Sequence, residues 1–221
     1  VISDQIVLIG IVVVFFIVMS IASPYFLTLS NIMNIIQYFS TYGIISIGMM
    51  MVILTGGINL SVGGTMAISA YACAAAILAG IPWPIALIMA LGVGMVIGLL
   101  NGFAVTLLKI PPLIATLAME QITRGLHMGF AQGAPLTSFP NSFRAIGATK
   151  LWGSLPIAVV WTLLLYIIFG FVLHKTMFGR NIYAVGGNPM ATKVAGIRNS
   201  RVITLVYILA GMLCTIAGII V

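Results

Sequence analysis

Few side chains in this sequence are suited to acid–base, nucleophilic or metal chemistry. They are two acids, two histidines and two cysteines: Asp4, Glu120, His127, His174, Cys73 and Cys214. Catalysis and metal binding need several such groups close together, yet no Cys-x-x-Cys pair, zinc-type spacing or Ser/His/Asp arrangement occurs. We therefore expect no enzymatic activity, no metal site and no cofactor, and we expect both cysteines to be packing residues.

The acid with the least ordinary surroundings is Glu120, which lies in an apolar stretch together with Arg124. Residues four apart share a helix face, so the two could form an ion pair. Ionisable groups inside a membrane span are costly and are candidates for function. Gln121 and His127 add polar capacity, so the cluster either lines a pathway for a polar solute or is a structural pair at the outer end of its helix. As the lone carboxylate within a span, Glu120 would also suit a proton-coupled transporter.

A second polar group lies among glycines, in the segment Gly56–Gly64. Four glycines disfavour a continuous helix, since each costs about 1 kcal/mol relative to alanine. We expect a break or re-entrant turn with Ser61 as the N-cap of the next helix. Broken helices often form substrate sites in transporters, so Asn59 and Ser61 are candidate pathway residues. The alternative is a tight turn at the cytoplasmic surface, with Asn59 solvated.

The elements that position these residues are apolar helices. Of 221 residues, 62% are hydrophobic and 5% are charged, whereas soluble domains carry about 25% charged residues. A soluble enzyme is therefore excluded. The sequence predicts an all-α, polytopic membrane protein with about seven spans in one transmembrane domain, residues 1–221, because each crossing needs about 20 apolar residues. The expected spans are Gln5–Ile21, Ile35–Leu54, Thr65–Leu78, Ile85–Leu108, Leu113–Phe130, Leu155–Leu173 and one from Val202 onward.

The basic residues predict the orientation of these spans. If the chain starts in the cytoplasm, six fall on the cytoplasmic side: Lys109, Lys175, Arg180, Lys193, Arg198 and Arg201. Arg144 and Lys150 fall outside, and Arg124 lies within a span. The positive-inside rule favours this orientation over its reverse. The net charge of +7 therefore indicates membrane topology, and we expect no nucleic-acid partner.

Glycines four residues apart indicate close helix contacts. Gly94, Gly98 and Gly102 share one helix face, and Gly125, Gly129 and Gly133 repeat the spacing. Such faces let two backbones approach closely. We favour ordinary packing within the bundle over a specific dimerisation motif.

Four segments, in this order and spacing, carry a family resemblance. They are Gly56–Gly64, Asn101-Gly102 with Lys109–Leu117, Arg124-Gly125, and Thr176–Ile197. From about Phe26 to its last residue the chain resembles the membrane permease subunits of bacterial ATP-binding-cassette sugar importers, the ribose-permease-like family. Many relatives have Asp at the position of Asn59, and Glu120 usually corresponds to an uncharged position.

The resemblance implies a subunit of an inner-membrane importer that forms the pathway for a monosaccharide by alternating access. Two permease subunits, alike or different, would form the pathway, two cytoplasmic ATPase subunits would drive it, and a periplasmic protein would deliver the sugar. The sequence has no G-x-x-x-x-G-K-[ST] phosphate loop of its own. Members of this family continue through further spans beyond the position of Val221. Permeases for branched-chain amino acids or urea are the alternative within the same superfamily.

Particular residues are candidates for particular roles. Substrate-pathway candidates are Asn59, Ser61, Asn101, Glu120, Gln121 and Arg124, of which Glu120 and Gln121 are chosen from their place in a span and not from the resemblance. Candidates for coupling to the ATPase lie in the cytoplasmic segment 174–201: Gly186, Gly187, Asn188, Pro189, Ala191 and Gly196. Within that segment we expect one short helix, Met190–Ala195, with Asn188 as its N-cap and Gly196 as its stop. The alternative for this segment is a basic loop on anionic lipid headgroups.

The polar segment Ala131–Ser154 is expected on the outer side. It would meet the periplasmic binding protein, or it would be a surface loop anchored by Trp152 at the membrane interface.

Overall fold

A computed structural model describes residues 2–132, 136, 139–151 and 154–220, with side chains from residue 6 onward. Trp152 and Gly133 therefore lie outside the described residues. The helices are α1 (Ile2–Ala22), α2 (Leu29–Leu54), α3 (Val62–Leu78), α4 (Trp83–Thr106), α5 (Pro112–Ala131), α6 (Asn141–Ala148), α7 (Ile157–Lys175), α8 (Met177–Gly187), α9 (Pro189–Val194) and α10 (Asn199–Ile220). Two-residue strands, β1 (Lys150–Leu151) and β2 (Leu155–Pro156), pair antiparallel with Leu151 opposite Leu155.

The seven long helices lie where the seven spans were predicted, so the all-α membrane fold is confirmed. Helices α2, α4, α7 and α10 are long and apolar enough to cross a bilayer by themselves. Helix α2 begins at Leu29, six residues before the predicted start. The reason is a cap: the hydroxyl of Thr28 accepts a hydrogen bond from the N–H of Asn31 at 3.4 Å, which satisfies a free donor of the first turn.

The hydrophobic core is centred on α10, which packs against α2, α3 and α4. Tyr207, Val206 and Leu213 of α10 are buried together with Ile47 and Met51 of α2. Helix α1 contrasts with this core, because its described apolar side chains are mostly exposed. Apolar exposure of this kind is what a lipid-facing helix presents to the bilayer.

Helices α4 and α10 meet through their backbones at the predicted glycine face. A Cβ added at Gly94 would clash with the carbonyl oxygen of Gly211, and one at Gly98 with the carbonyl oxygen of Tyr207. A Cβ at Gly102 would lie 2.8 Å from the Cα of Thr204. The structure thus places these three glycines in a contact within the chain.

The bundle has two distinct ends. One end, called the basic end below, holds α8, α9, the last turn of α4 and the first turn of α10, where the Thr106 and Thr204 hydroxyls lie 3.3 Å apart. The other end holds α6, and there a Cβ at Gly147 would clash with the carbonyl oxygen of Ile220. All six basic residues assigned to the cytoplasmic side lie at or next to elements of the basic end.

The segment 174–201 differs from the prediction of a single short helix. Besides α9 it contains the eleven-residue helix α8. The hydroxyl of Thr176 accepts a hydrogen bond from the N–H of Gly179 at 3.2 Å and so caps α8. Gly179, Ile182 and Val185 are buried on one face, whereas Arg180 is exposed. The polar residues that marked this segment as a connector lie on the exposed face of an amphipathic helix.

Candidate functional site: the helix break and the coupling segment

The chain between α2 and α3 is non-helical, as the glycine-rich segment predicts. Gly56 has φ of +80°, a left-handed conformation that glycine adopts without the steric cost of a side chain. The N–H of Gly57 donates back to the carbonyl of Val52 at 3.0 Å. This segment, Thr55–Ser61, is called the break below, and it separates two helices that would otherwise be continuous.

Three candidate pathway residues form one buried cluster at the break. The Ser61 hydroxyl donates to Asn59 Oδ1 at 2.8 Å, and Nδ2 of Asn101, from α4, donates to Ser61 Oγ at 2.8 Å. Asn59, Ser61 and Asn101 are 3%, 1% and 1% exposed. The alternative of a solvated Asn59 is therefore wrong, because its amide is needed to satisfy Ser61. These contacts fix the break to α4.

Ser61 occupies the N-cap position of α3 but forms no side-chain cap, since its hydroxyl is bonded to Asn59. The cap comes instead from α5: the N–H of Gly64 donates to Glu120 Oε2 at 2.6 Å. A carboxylate at a helix N-terminus satisfies a free N–H and interacts favourably with the helix dipole. The carboxylate of Glu120 is thus used by the backbone of α3, and the predicted ion pair with Arg124 is not formed within the described chain.

Glu120→Ala is expected to destabilise the protein by ~1–2 kcal/mol, the usual loss for a helix cap, with a lower melting temperature in detergent. Glu120→Gln keeps an acceptor oxygen and should lose less. An unchanged melting temperature in Glu120→Ala would contradict the capping role.

Tyr207 is a residue that the sequence did not single out. Its hydroxyl, on α10, donates to the carbonyl oxygen of Ile58 at 3.1 Å, and the side chain is fully buried. A buried tyrosine hydroxyl needs a hydrogen-bond partner. A lone tyrosine within the apolar run of α10 was the available signal, but its partner lies 149 residues away in sequence. The break is therefore held by α4, α5 and α10 together.

The remaining pathway candidates are not part of this buried cluster. Gln121 and Arg124 are exposed on the next face of α5, away from the contact with α3. Gly125 and Gly129 have open space where a Cβ would be. The described residues leave this face of α5 uncovered, whereas Asn59, Ser61 and Asn101 are buried.

The coupling candidates lie at the basic end, and one of them touches the end of α2. A Cβ at Gly186, in the last turn of α8, would clash with the carbonyl oxygen of Leu54 and lie 3.5 Å from the Cα of Thr55. Thr55 is the first residue of the break. Helix α8 therefore rests directly on the backbone that leads into the break.

The α9 turn has the expected capping pattern. Asn188 Oδ1 accepts hydrogen bonds from the N–H groups of Met190 and Ala191 at 3.1 and 3.0 Å, and Pro189 occupies the first turn. The helix ends at Val194, and Gly196 then has φ of +79°. This left-handed glycine lets the chain turn away from the helix.

Helix α9 presents an uncovered apolar surface. Met190 and Val194 are 75% and 91% exposed, and only Thr192 is buried. Gly187 has open space around it. A short, well-capped helix that projects apolar side chains from the basic end has the shape of a docking element.

The sequence is similar to a known family and to several known proteins. The profile of the family described as "Branched-chain amino acid transport system / permease component" matches residues 31–221. The ribose import permease protein of Bacillus subtilis is 39% identical over 204 residues, 91% of this chain and 63% of that protein. The galactofuranose transporter permease protein of Escherichia coli is 39% identical over 188 residues, 85% of this chain and 55% of that protein.

The L-arabinose transport system permease protein of Escherichia coli is 36% identical over 225 residues, 98% of this chain and 66% of that protein. No solved structure matches the chain. The chain spans less than two thirds of the length of each of these three relatives.

Proposed function

This chain belongs to the permease-component family of branched-chain amino acid type transport systems, and from that premise we propose that it forms the membrane pathway of an ATP-driven importer for a monosaccharide. Relatives named for ribose, galactofuranose and L-arabinose support a sugar. The proposal places the protein in the bacterial inner membrane, with its first residue and residues 174–201 in the cytoplasm. The charge distribution supports this orientation.

The observation that carries the proposal is the contact between α8 and the break. Helix α9 would dock on a cytoplasmic ATPase subunit through its exposed face, and α8 would transmit the movement to Leu54 and Thr55. The break, held by side chains of α4, α5 and α10, would then move against those helices and open or close the pathway. The permease itself would hydrolyse nothing, and ATP would be hydrolysed by the partner subunits.

A second permease subunit and a periplasmic sugar-binding protein complete the proposed assembly. The uncovered face of α5, with Gln121 and Arg124, would line the pathway opposite the second subunit. The open space at Gly125 and Gly129 supports a close approach on this face. The described part of the segment Ala131–Ser154, which includes α6, would lie on the side from which the binding protein delivers sugar.

The test is uptake of radiolabelled ribose, L-arabinose, fructose and leucine by vesicles that hold the full-length permease and its ATPase. We expect uptake of a sugar that requires ATP and disappears when the ATPase subunits are omitted. Uptake of leucine alone would favour the amino-acid branch of the family. Uptake that survives without the ATPase would overturn the proposal.

Gly187→Glu and Ala191→Glu are expected to uncouple the ATPase from uptake, because each places a charge on the docking face of the coupling segment. We expect uptake to fall by about tenfold, which corresponds to about 1.4 kcal/mol of coupling free energy. Membrane insertion and melting temperature should be unchanged, since Gly187 and Ala191 are exposed. Unchanged sugar-stimulated ATPase activity and uptake would count against the docking role.

A further inference from the structure

The α6 end of the bundle contains a cavity that the break and the coupling segment do not use. Its volume is about 780 Å³, and it is lined by α3, α5, α6 and α10, by one residue of α2, and by Leu136 and Phe139, which precede α6. Pockets for small molecules have volumes of ~300–1,000 Å³. The wall formed by α3 consists largely of the small residues Ala67, Ala70 and Ala74, which leave room that larger side chains would fill.

The cavity has a few polar groups on this mainly apolar wall. His127 of α5 lines it. Its Nδ1 is buried within the protein, so the ring nitrogen available to a ligand is Nε2, which can donate or accept a hydrogen bond depending on the tautomer. The ring of His127 stands edge-on to Tyr71, with centroids 5.7 Å apart and planes at 81°. Tyr71 is itself fixed, because its hydroxyl donates to the Phe130 carbonyl at 2.8 Å.

Two further groups bring hydrogen-bonding capacity to the cavity. Gln37 of α2 offers an amide with both donors and an acceptor, and Arg144 of α6 offers a planar set of donors. Glu120, the acid within the helix bundle, is engaged at the N-terminus of α3 and does not line the cavity. The described lining holds one guanidinium and no carboxylate, so it suits a hydroxyl-rich ligand that carries no positive charge.

An aromatic pair completes the cavity. Phe139 and Phe143 line it with ring centroids 5.6 Å apart and planes at 60°. A sugar ring has an apolar face of C–H groups and a rim of hydroxyls. Aromatic rings can cover the apolar face, while amide, imidazole and guanidinium groups bond the rim.

We propose that this cavity is a contact subsite for a monosaccharide on its route into the permease, with His127 and Gln37 bonding its hydroxyls and Phe139 and Phe143 covering its ring. The inference rests on the proposed function and names a place on the chain for its substrate. It adds His127, Gln37 and the aromatic pair to the residues that act on the sugar. The subsite is distinct from the buried cluster of Asn59, Ser61 and Asn101.

The experiment uses the full-length importer in vesicles with whichever of ribose, L-arabinose or fructose the unaltered protein transports. Ala70→Phe fills the cavity, and Ala79→Phe is the matched control, because Ala79 ends the same helix and is exposed outside the cavity. His127→Ala removes the imidazole. We expect the sugar concentration for half-maximal uptake to rise by about tenfold in His127→Ala, the loss of one or two hydrogen bonds, and by at least as much in Ala70→Phe, because the phenyl ring occupies the space of the sugar. The maximal rate should change little, and Ala79→Phe should behave as the unaltered protein.

A second measurement does not depend on transport. Cysteine placed by Ala70→Cys should react with a maleimide in the purified full-length permease, and the same sugar at high concentration should slow that reaction. The native Cys73 and Cys214 are buried and should contribute little background. Leucine should not protect the introduced cysteine.

The outcomes separate the two proposals. Unchanged half-maximal concentrations in both cavity variants, or no protection of the cysteine by a transported sugar, would overturn the subsite. Protection by leucine instead of sugar would also overturn it. If the unaltered importer transports no sugar with ATP, the proposed function fails before any variant is compared, and the subsite fails with it.

Discussion

Gly186→Val is expected to reduce ATP-driven uptake strongly while the permease still inserts and assembles with its ATPase. Any side chain at position 186 would clash with the Leu54 carbonyl, which is backbone and cannot rotate away. Helix α8 must therefore move off the end of α2. Overpacking costs ~1–3 kcal/mol. If the coupling free energy falls by the same amount, sugar uptake per ATP hydrolysed falls by ~5–150-fold. The measurement is sugar uptake per ATP hydrolysed in vesicles.

The control for this variant is Gly170→Val on α7. Gly170 is also a helical glycine, but among the described residues no atom beyond its own stretch of α7 lies within 4 Å of the place where its Cβ would be. Gly170→Val should transport normally. Normal uptake per ATP hydrolysed in Gly186→Val would show that the contact between α8 and α2 does not transmit movement.

Gly98→Leu is expected to have the largest effect on stability. A Cβ at position 98 would clash with the Tyr207 carbonyl and lie 2.7 Å from the Cα of Ile208. Both contacts are with backbone, so α4 and α10 must separate along their whole seam. We expect a loss of about 3 kcal/mol, the upper part of the usual range for overpacking. The loss of stability would be measured as a lower melting temperature in detergent and a smaller monodisperse fraction on size-exclusion chromatography.

Gly92→Leu is the matched control, because Gly92 is on the same helix and has open space around it. Replacing a helical glycine that has room for a side chain by leucine improves helix propensity by up to about 1 kcal/mol. Its melting temperature should be equal or higher. Equal stability of Gly98→Leu and the unaltered protein would contradict the close α4–α10 contact.

The positions of the long helices could be predicted because each span is one continuous stretch of sequence, an apolar run with polar or Gly/Pro residues at its ends. The cap of α9 at Asn188 and the break at Gly56–Gly64 are local patterns of the same kind. Helix α8 was missed because its polar face resembles a connector when hydropathy is averaged along the chain. Its buried residues Gly179, Ile182 and Val185 are three residues apart, the spacing of one face of a helix. This spacing was the available signal for α8.

The role of Glu120 could not be predicted from its neighbours in sequence. The pairing with Arg124 was suggested by a spacing of four residues, but the partner is the Gly64 N–H, 56 residues away. The burial of Asn59 could not be predicted for the same reason. The residues that hold the break around it, Asn101 and Tyr207, lie on helices that are distant in sequence. The cavity is formed by several elements at once, so no single segment contains its pattern.

The seam between α4 and α10 also restricts how the protein can move. The two backbones touch at three glycines, so no flexible side chains lie between them that could adjust if one helix slid along the other. We therefore expect α4 and α10 to move together as one rigid body. Displacements must then be taken up where regular hydrogen bonding is interrupted, as hinge residues do. The connections that leave α4 and lead into α10 border this rigid body, and each contains a left-handed residue: Lys109, with φ of +55°, and Gly196, with φ of +79°. We therefore expect bending to occur at these two connections while α4 and α10 keep their relative positions.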